Sequence, residues 1–138
     1  MYDTILIAAA LFDDGGNTRK LLDSAKAMLN PGGKVVLVHV LDEIPKFAVA
    51  HVPREQMSGH ERKVRDQLDA IAANAGDIKV EVVVRKGTAS VGILGTAKEK
   101  KADVILISSH KPGLSDYFIG STAARVVRHA ETSVLVLR

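Results

Sequence analysis

The chain has 138 residues, a formal net charge of +3, 46% hydrophobic and only 4% aromatic residues, and no cysteine. Its size favours one domain spanning 1–138, and its aliphatic bias suits a buried parallel sheet covered by helices. The composition excludes a disulfide framework and thiol chemistry, gives no basic surface interleaved with aromatics for nucleic acid, and holds no apolar run of the ~20 residues a membrane span needs.

The chain opens Met1-Tyr2-Asp3-Thr4-Ile5, with no basic segment leading into a long apolar run. No secretory signal is read there, and a cytoplasmic protein is expected. Ile5 to Ala10 is a short apolar run and predicts a first strand. Phe12-Asp13-Asp14-Gly15-Gly16-Asn17 is turn chemistry. Leu21, Ala25, Met28 and Leu29 recur at helical spacing, with Pro31-Gly32-Gly33 as the stop. Lys34 to Leu41 is valine-rich and predicts a second strand, and 42–53 reads as a loop.

Met57, Glu61, Val64, Leu68, Ile71 and Ala75 trace a helical stripe that Gly76-Asp77 ends. Ile78 to Val84 predicts a third strand. Thr88 and Ser90 are candidate N-caps of a helix through Val91, Leu94 and Ala97. Gly92 and Gly95 weaken that helix, each by ~1 kcal/mol relative to alanine, and permit close packing on the sheet. Val104 to Ile107 predicts the fourth strand. Ile119, Ala123, Val126, Val127 and Ala130 form the stripe of the last helix, and Ser133 to Leu137 the fifth strand.

Five strands alternating with four helices imply right-handed crossovers and a parallel sheet. Ligands in such folds bind beyond the strand carboxyl ends, where strand order reverses. With the first strand central, the loops after Ala10 and Ile107 face one crevice. Ile107-Ser108-Ser109-His110-Lys111 leaves a strand, and Gly120-Ser121-Thr122 opens a helix. Helix N-termini offer free N–H donors and partial positive charge, so this arrangement suits a phosphate, and a nucleotide is the expected ligand.

These residues carry a resemblance. The run from Ala102 to Arg138, with the alternation before it, resembles the universal stress protein family. Its members usually show Gly-x-x-Gly, then nine residues, then Gly-Ser or Gly-Thr. Val126-Val127-Arg128-His129-Ala130, followed by Ser133 to Leu137, is also similar to the family's usual ending. The resemblance implies a five-stranded α/β fold of order 3-2-1-4-5 and frequent dimers. It also implies ATP as ligand, with Mg²⁺, held by the loop and by the start of the last helix.

The pattern departs from the family in two places. The first family glycine falls on Ser108, the loop is one residue shorter, and Lys111 stands about where the second glycine would be, where its charge replaces a backbone contact to phosphate. Ser108 to Gly113 resembles the variant loop of one branch of the family. The aspartate expected near the adenosine falls on Ala10, and losing such a contact costs ~1 kcal/mol or somewhat more. Backbone groups at Ala9 and Val40 remain available to an adenine.

The residues assigned to nucleotide are thus Ala9, Ala10, Val40, Ile107, Ser108, Ser109, His110, Lys111, Gly120, Ser121 and Thr122. His39 reads as a packed, hydrogen-bonded strand residue, and no catalytic or metal-ligating set is assigned. Asp13-Asp14 invites comparison with phosphoacceptor receiver domains. That chemistry needs a carboxylate at the end of the third strand, where Val84-Arg85-Lys86-Gly87 offers none.

Three roles remain open: a nucleotide-binding regulator, a dimeric interaction module without nucleotide, and a weak ATP hydrolase. The last strand, Ser133 to Leu137, is an apolar edge in the implied order, and pairing with its twin in a homodimer removes that edge.

Overall fold

Ile5, Leu6 and Ile7 are fully excluded from solvent, as only a strand covered on both faces can be. They belong to β1 (Tyr2–Ala8), the centre of the sheet. The computed structural model describes residues 1–42, 46–109 and 119–138. After β1 come α1 (Gly16–Met28), β2 (Leu29–Leu41), α2 (Lys46–Val49), α3 (Arg54–Ala73), β3 (Lys79–Lys86), α4 (Ala89–Glu99), β4 (Val104–Ser108), α5 (Ser121–His129) and β5 (Ser133–Leu137). The sheet order is β3-β2-β1-β4-β5, all pairs parallel, as expected.

Alternate residues of each strand feed opposite layers. Ile5, Ile7, Val35, Leu37, Val104 and Leu106 pack with α1 and α3 through Leu21, Leu22, Ala25 and Ile71. Leu6, Val36, Val38, Ile105 and Ile107 pack with α4 and α5 through Ile93, Ala97, Ala123 and Val126. Helices therefore cover both faces, and the connections leaving β1 and β4 turn to opposite sides of the sheet.

Several bounds differ from the sequence reading: the first strand is Tyr2–Ala8 rather than Ile5–Ala10, and the third Lys79–Lys86 rather than Ile78–Val84. The second strand begins at Leu29, not Lys34, because Leu29 pairs with Tyr2 and the Asn30 side chain donates to Asp3 Oδ1 at 2.8 Å. Pro31-Gly32-Gly33 is thus absorbed as an irregularity in the ladder between Tyr2 and Thr4. In the stretch expected to be loop, Lys46–Val49 form a single helical turn.

Gly15 shows why the turn before α1 needs glycine. Its φ is +82°, and a Cβ there would lie 2.8 Å from Ile71 Cδ1 on α3. Asp13 then caps α1, its Oδ2 accepting the Asn17 N–H at 2.9 Å. This engages one oxygen of Asp13, half of the acidic pair that invited the receiver-domain comparison, while its buried Oδ1 has no partner among the described residues.

Candidate functional site at the carboxyl ends of three strands

The β1–β4 register ends at Ile7–Leu106 and the β1–β2 register at Ala8–Val38. Beyond those pairs the three chains part, and a cleft of about 470 Å³ opens between them. That volume lies within the range of small-molecule sites, ~300–1,000 Å³.

Ala9, Ala10 and Val40 line one side of the cleft, Ile107, Ser108 and Ser109 the floor, and Gly120, Ser121 and Thr122 the other side. All nine come together as expected. His110 and Lys111 lie outside the described residues.

The hydrogen bonds narrow what each residue can offer. The Ala9 N–H donates to Val38 O at 2.8 Å, and Ala9 O meets His39 Nδ1 at 2.8 Å. His39 is the bonded strand residue its position implied. Ala10 is held by Thr18, whose hydroxyl accepts from Ala10 N–H and donates to Ala10 O, both at 2.9 Å. Ala9 and Ala10 are therefore a wall whose amides are engaged.

Val40 is placed differently. Along a parallel strand, successive residues direct their peptide groups to alternate neighbours. Val38 O accepts from Ala9 on the β1 side, and Leu41 O accepts from Gly87 on the β3 side. Val40 shares the parity of Val38, so its N–H and C=O face the β1 side, past the last register pair. A donor and an acceptor then stand side by side at the cleft, which matches the hydrogen-bonding edge of an adenine.

At the far end, the Gly120 N–H donates to Ser109 O, and Ser109 N–H donates to Leu137 O at 2.8 Å. Gly120 thus closes the loop rather than offering its amide to a ligand. The first intrahelical bond of α5 is Ala124 N–H to Gly120 O at 2.9 Å. The N–H groups of Ser121, Thr122 and Ala123 precede it, and no side-chain cap bond satisfies them. The first turn of α5 carries no acidic residue to offset its positive end. Ser108 adds a buried hydroxyl without a partner among the described residues. Unpaired donors at a helix start beside an orphaned hydroxyl are what a phosphate-bearing ligand would satisfy.

Sequence reasoning missed three contributors. Phe12 and Asp42 line the cleft, and Thr18 fixes Ala10. Of the two glycines expected to pack closely on the sheet, Gly92 of α4 meets Val40, a Cβ there falling 2.5 Å from Val40 Cγ2. For Asp42 a signal was present: it follows directly on a strand whose end faces the crevice.

A family model, the universal stress protein family, matches residues 1–138. The chain belongs to the universal stress protein family. Universal stress protein G of Escherichia coli O157:H7 is 29% identical over 143 residues, covering 100% of both chains. The structure of the hypothetical protein MJ0577 superposes with a TM-score of 0.82 at 25% identity, covering 99% of this chain and 96% of that one. A universal stress protein solved in complex with cAMP has the same fold, with a TM-score of 0.64 at 20% identity over 99% of this chain and 97% of that one. Like those relatives, the chain is a stress-response family member built on a five-stranded α/β core. No helix among the described residues is long and apolar enough to cross a membrane.

Proposed function

We propose that this family member binds ATP across the cleft and acts in the cytoplasm as a nucleotide-responsive homodimer. The observation that carries the reading is the convergence of unpaired donors. Ser121, Thr122 and Ala123, whose amides open α5, line one cleft with Ser108, whose buried hydroxyl has no partner among the described residues. The triphosphate lies at that end and the base against the Val40 peptide and Phe12. A bound ATP would supply negative charge that draws the start of α5 and the end of β4 together. The cAMP complex of a structural neighbour supports an adenine nucleotide as the ligand class.

The dimer reading rests on the two sheet edges. The β3 edge carries Lys79, Glu81, Arg85 and Lys86, charges that discourage strand pairing. The β5 edge is Ser133-Val134-Leu135-Val136-Leu137, with Leu135 exposed. Pairing of β5 with its copy across a two-fold axis buries the apolar edge.

The test is thermal unfolding with ATP–Mg²⁺. A ligand at 100 times its Kd stabilises by about 2.7 kcal/mol, so a clear upward shift of Tm is expected at millimolar ATP. Absence of any shift favours the second reading, an interaction module without nucleotide. The observation behind that alternative is Ala10, which stands where the family's aspartate is expected and has both backbone groups bound by Thr18.

A further inference from the structure

We infer that Asp42 is the ribose-recognition residue of this cleft, its carboxylate accepting hydrogen bonds from the 2′- and 3′-hydroxyls of a ribonucleotide. The inference rests on the nucleotide reading above and names a specificity residue within it. Asp42 follows β2 directly, two residues beyond Val40, and lines the cleft. It is the only carboxylate among the described residues that does so.

A second, polar recess of about 460 Å³ adjoins the cleft at the start of α4 and is lined by Thr88, Ser90 and Arg125 among others. Asp42, Ala89 and Thr122 line both spaces. Asp42 therefore stands at their junction, bounded by the Val40 end on one side and by the first turn of α5 on the other. In a nucleotide laid from Val40 to α5, the sugar occupies that interval.

A carboxylate repels phosphates and accepts only from N–H and O–H donors, which in such a ligand are the adenine amino group and the sugar hydroxyls. The amino group lies with the base at the Val40 peptide, which leaves the hydroxyls to Asp42. Two vicinal hydroxyls can donate to its two oxygens in charge-assisted bonds. Asp42 is exposed, and no hydrogen bond or ion pair engages its side chain among the described residues. Its acceptors are thus available to a ligand. Dinucleotide-binding α/β folds give a parallel, an acidic residue about 20 residues past their glycine-rich turn binding a ribose hydroxyl.

The experiment is calorimetric titration of the full chain and its Asp42→Ala variant with ATP and with 2′,3′-dideoxy-ATP, both with Mg²⁺. The unaltered protein is expected to bind ATP about 10- to 100-fold more tightly than the dideoxy analogue. Asp42→Ala is expected to lose that factor for ATP and to bind the dideoxy analogue as the unaltered protein does. Equal binding of the two nucleotides by the unaltered protein overturns the inference and leaves the nucleotide reading standing. So does a change in the variant that affects both nucleotides alike. No binding of either nucleotide by the unaltered protein overturns the nucleotide reading, and the role of Asp42 with it.

Discussion

Thr18 grips Ala10 by both of its backbone groups, donating to the carbonyl and accepting from the amide at 2.9 Å each. Thr18 is fully buried on α1, so this hydroxyl ties the first helix to the chain leaving β1. Thr18→Val keeps the shape and removes both bonds, leaving a part-buried N–H and C=O unsatisfied. A loss of about 1–3 kcal/mol is expected, read as a lower urea midpoint, with Thr18→Ser recovering most of it.

Gly92 predicts a coupled pair. A Cβ at this position would meet Val40 Cγ2 at 2.5 Å, and a β-branched side chain has little freedom to move aside. Gly92→Ala should therefore cost about 1–3 kcal/mol through overpacking, despite the helix propensity alanine adds. It should also weaken ATP binding by displacing the Val40 peptide. Val40→Ala in the same chain relieves the clash, and a double-mutant cycle on denaturant midpoints should return a favourable coupling.

Ser108 separates stability from binding. Its hydroxyl is buried with no partner among the described residues. Ser108→Ala is expected to leave the free protein as stable or slightly more so, because an unsatisfied polar atom is removed. The same change should weaken ATP binding by about 5- to 10-fold, as expected for one lost hydrogen bond. A variant less stable without ligand and unchanged in affinity would place the hydroxyl in the core rather than the site.

The β3 edge gives a pH prediction. Lys100 donates to Glu81 Oε1 at 2.7 Å, and Lys34 lies 3.5 Å from Oε2. The hydrogen bond from Lys100, with the charges of Lys100 and Lys34, holds the carboxyl below its ordinary value of 4.5. A depressed carboxyl stabilises the fold above the unfolded value and ceases to do so as pH falls through the folded value. Chemical denaturation from pH 7 down through pH 4.5 and below should show a smaller acid loss in Glu81→Gln than in the unaltered protein. The side chain is partly exposed, and added salt should narrow the difference.

Leu135 tests association. It is 41% exposed on the edge strand β5. The unaltered protein should sediment as a dimer at micromolar concentration, and Leu135→Asp as a monomer with an unchanged far-ultraviolet spectrum. An unaltered protein that sediments as a monomer counts against the dimer reading.

The legible parts of this chain were those decided locally. β5 was read at its observed bounds because its apolar run stops abruptly at Thr132 and Arg138. The sheet order followed from alternation and from the family resemblance, and the cleft from the strand-then-helix sequence around Ile107 and Gly120. What local pattern could not show was set by distant partners. Leu29 suits a helix or a strand, and only Tyr2 decides. Gly95 looked as much a packing glycine as Gly92, yet Gly92 alone meets Val40, while a Cβ at Gly95 touches nothing. The Gly120 amide looked free for a ligand until Ser109 claimed it, and Thr18 gave no sign that its hydroxyl holds Ala10.

The bond from Ser109 N–H to Leu137 O has a mechanical meaning. It carries the β4–β5 ladder one residue past its last register pair, Ser108–Leu137, and so fastens the exit of β4 to the tail of the outermost strand. Anything that grips the sheet's rim from outside pulls on the same anchor as anything seated inside. A ligand seated in the cleft and a chain paired along β5 would thus bear on the same rim of the sheet.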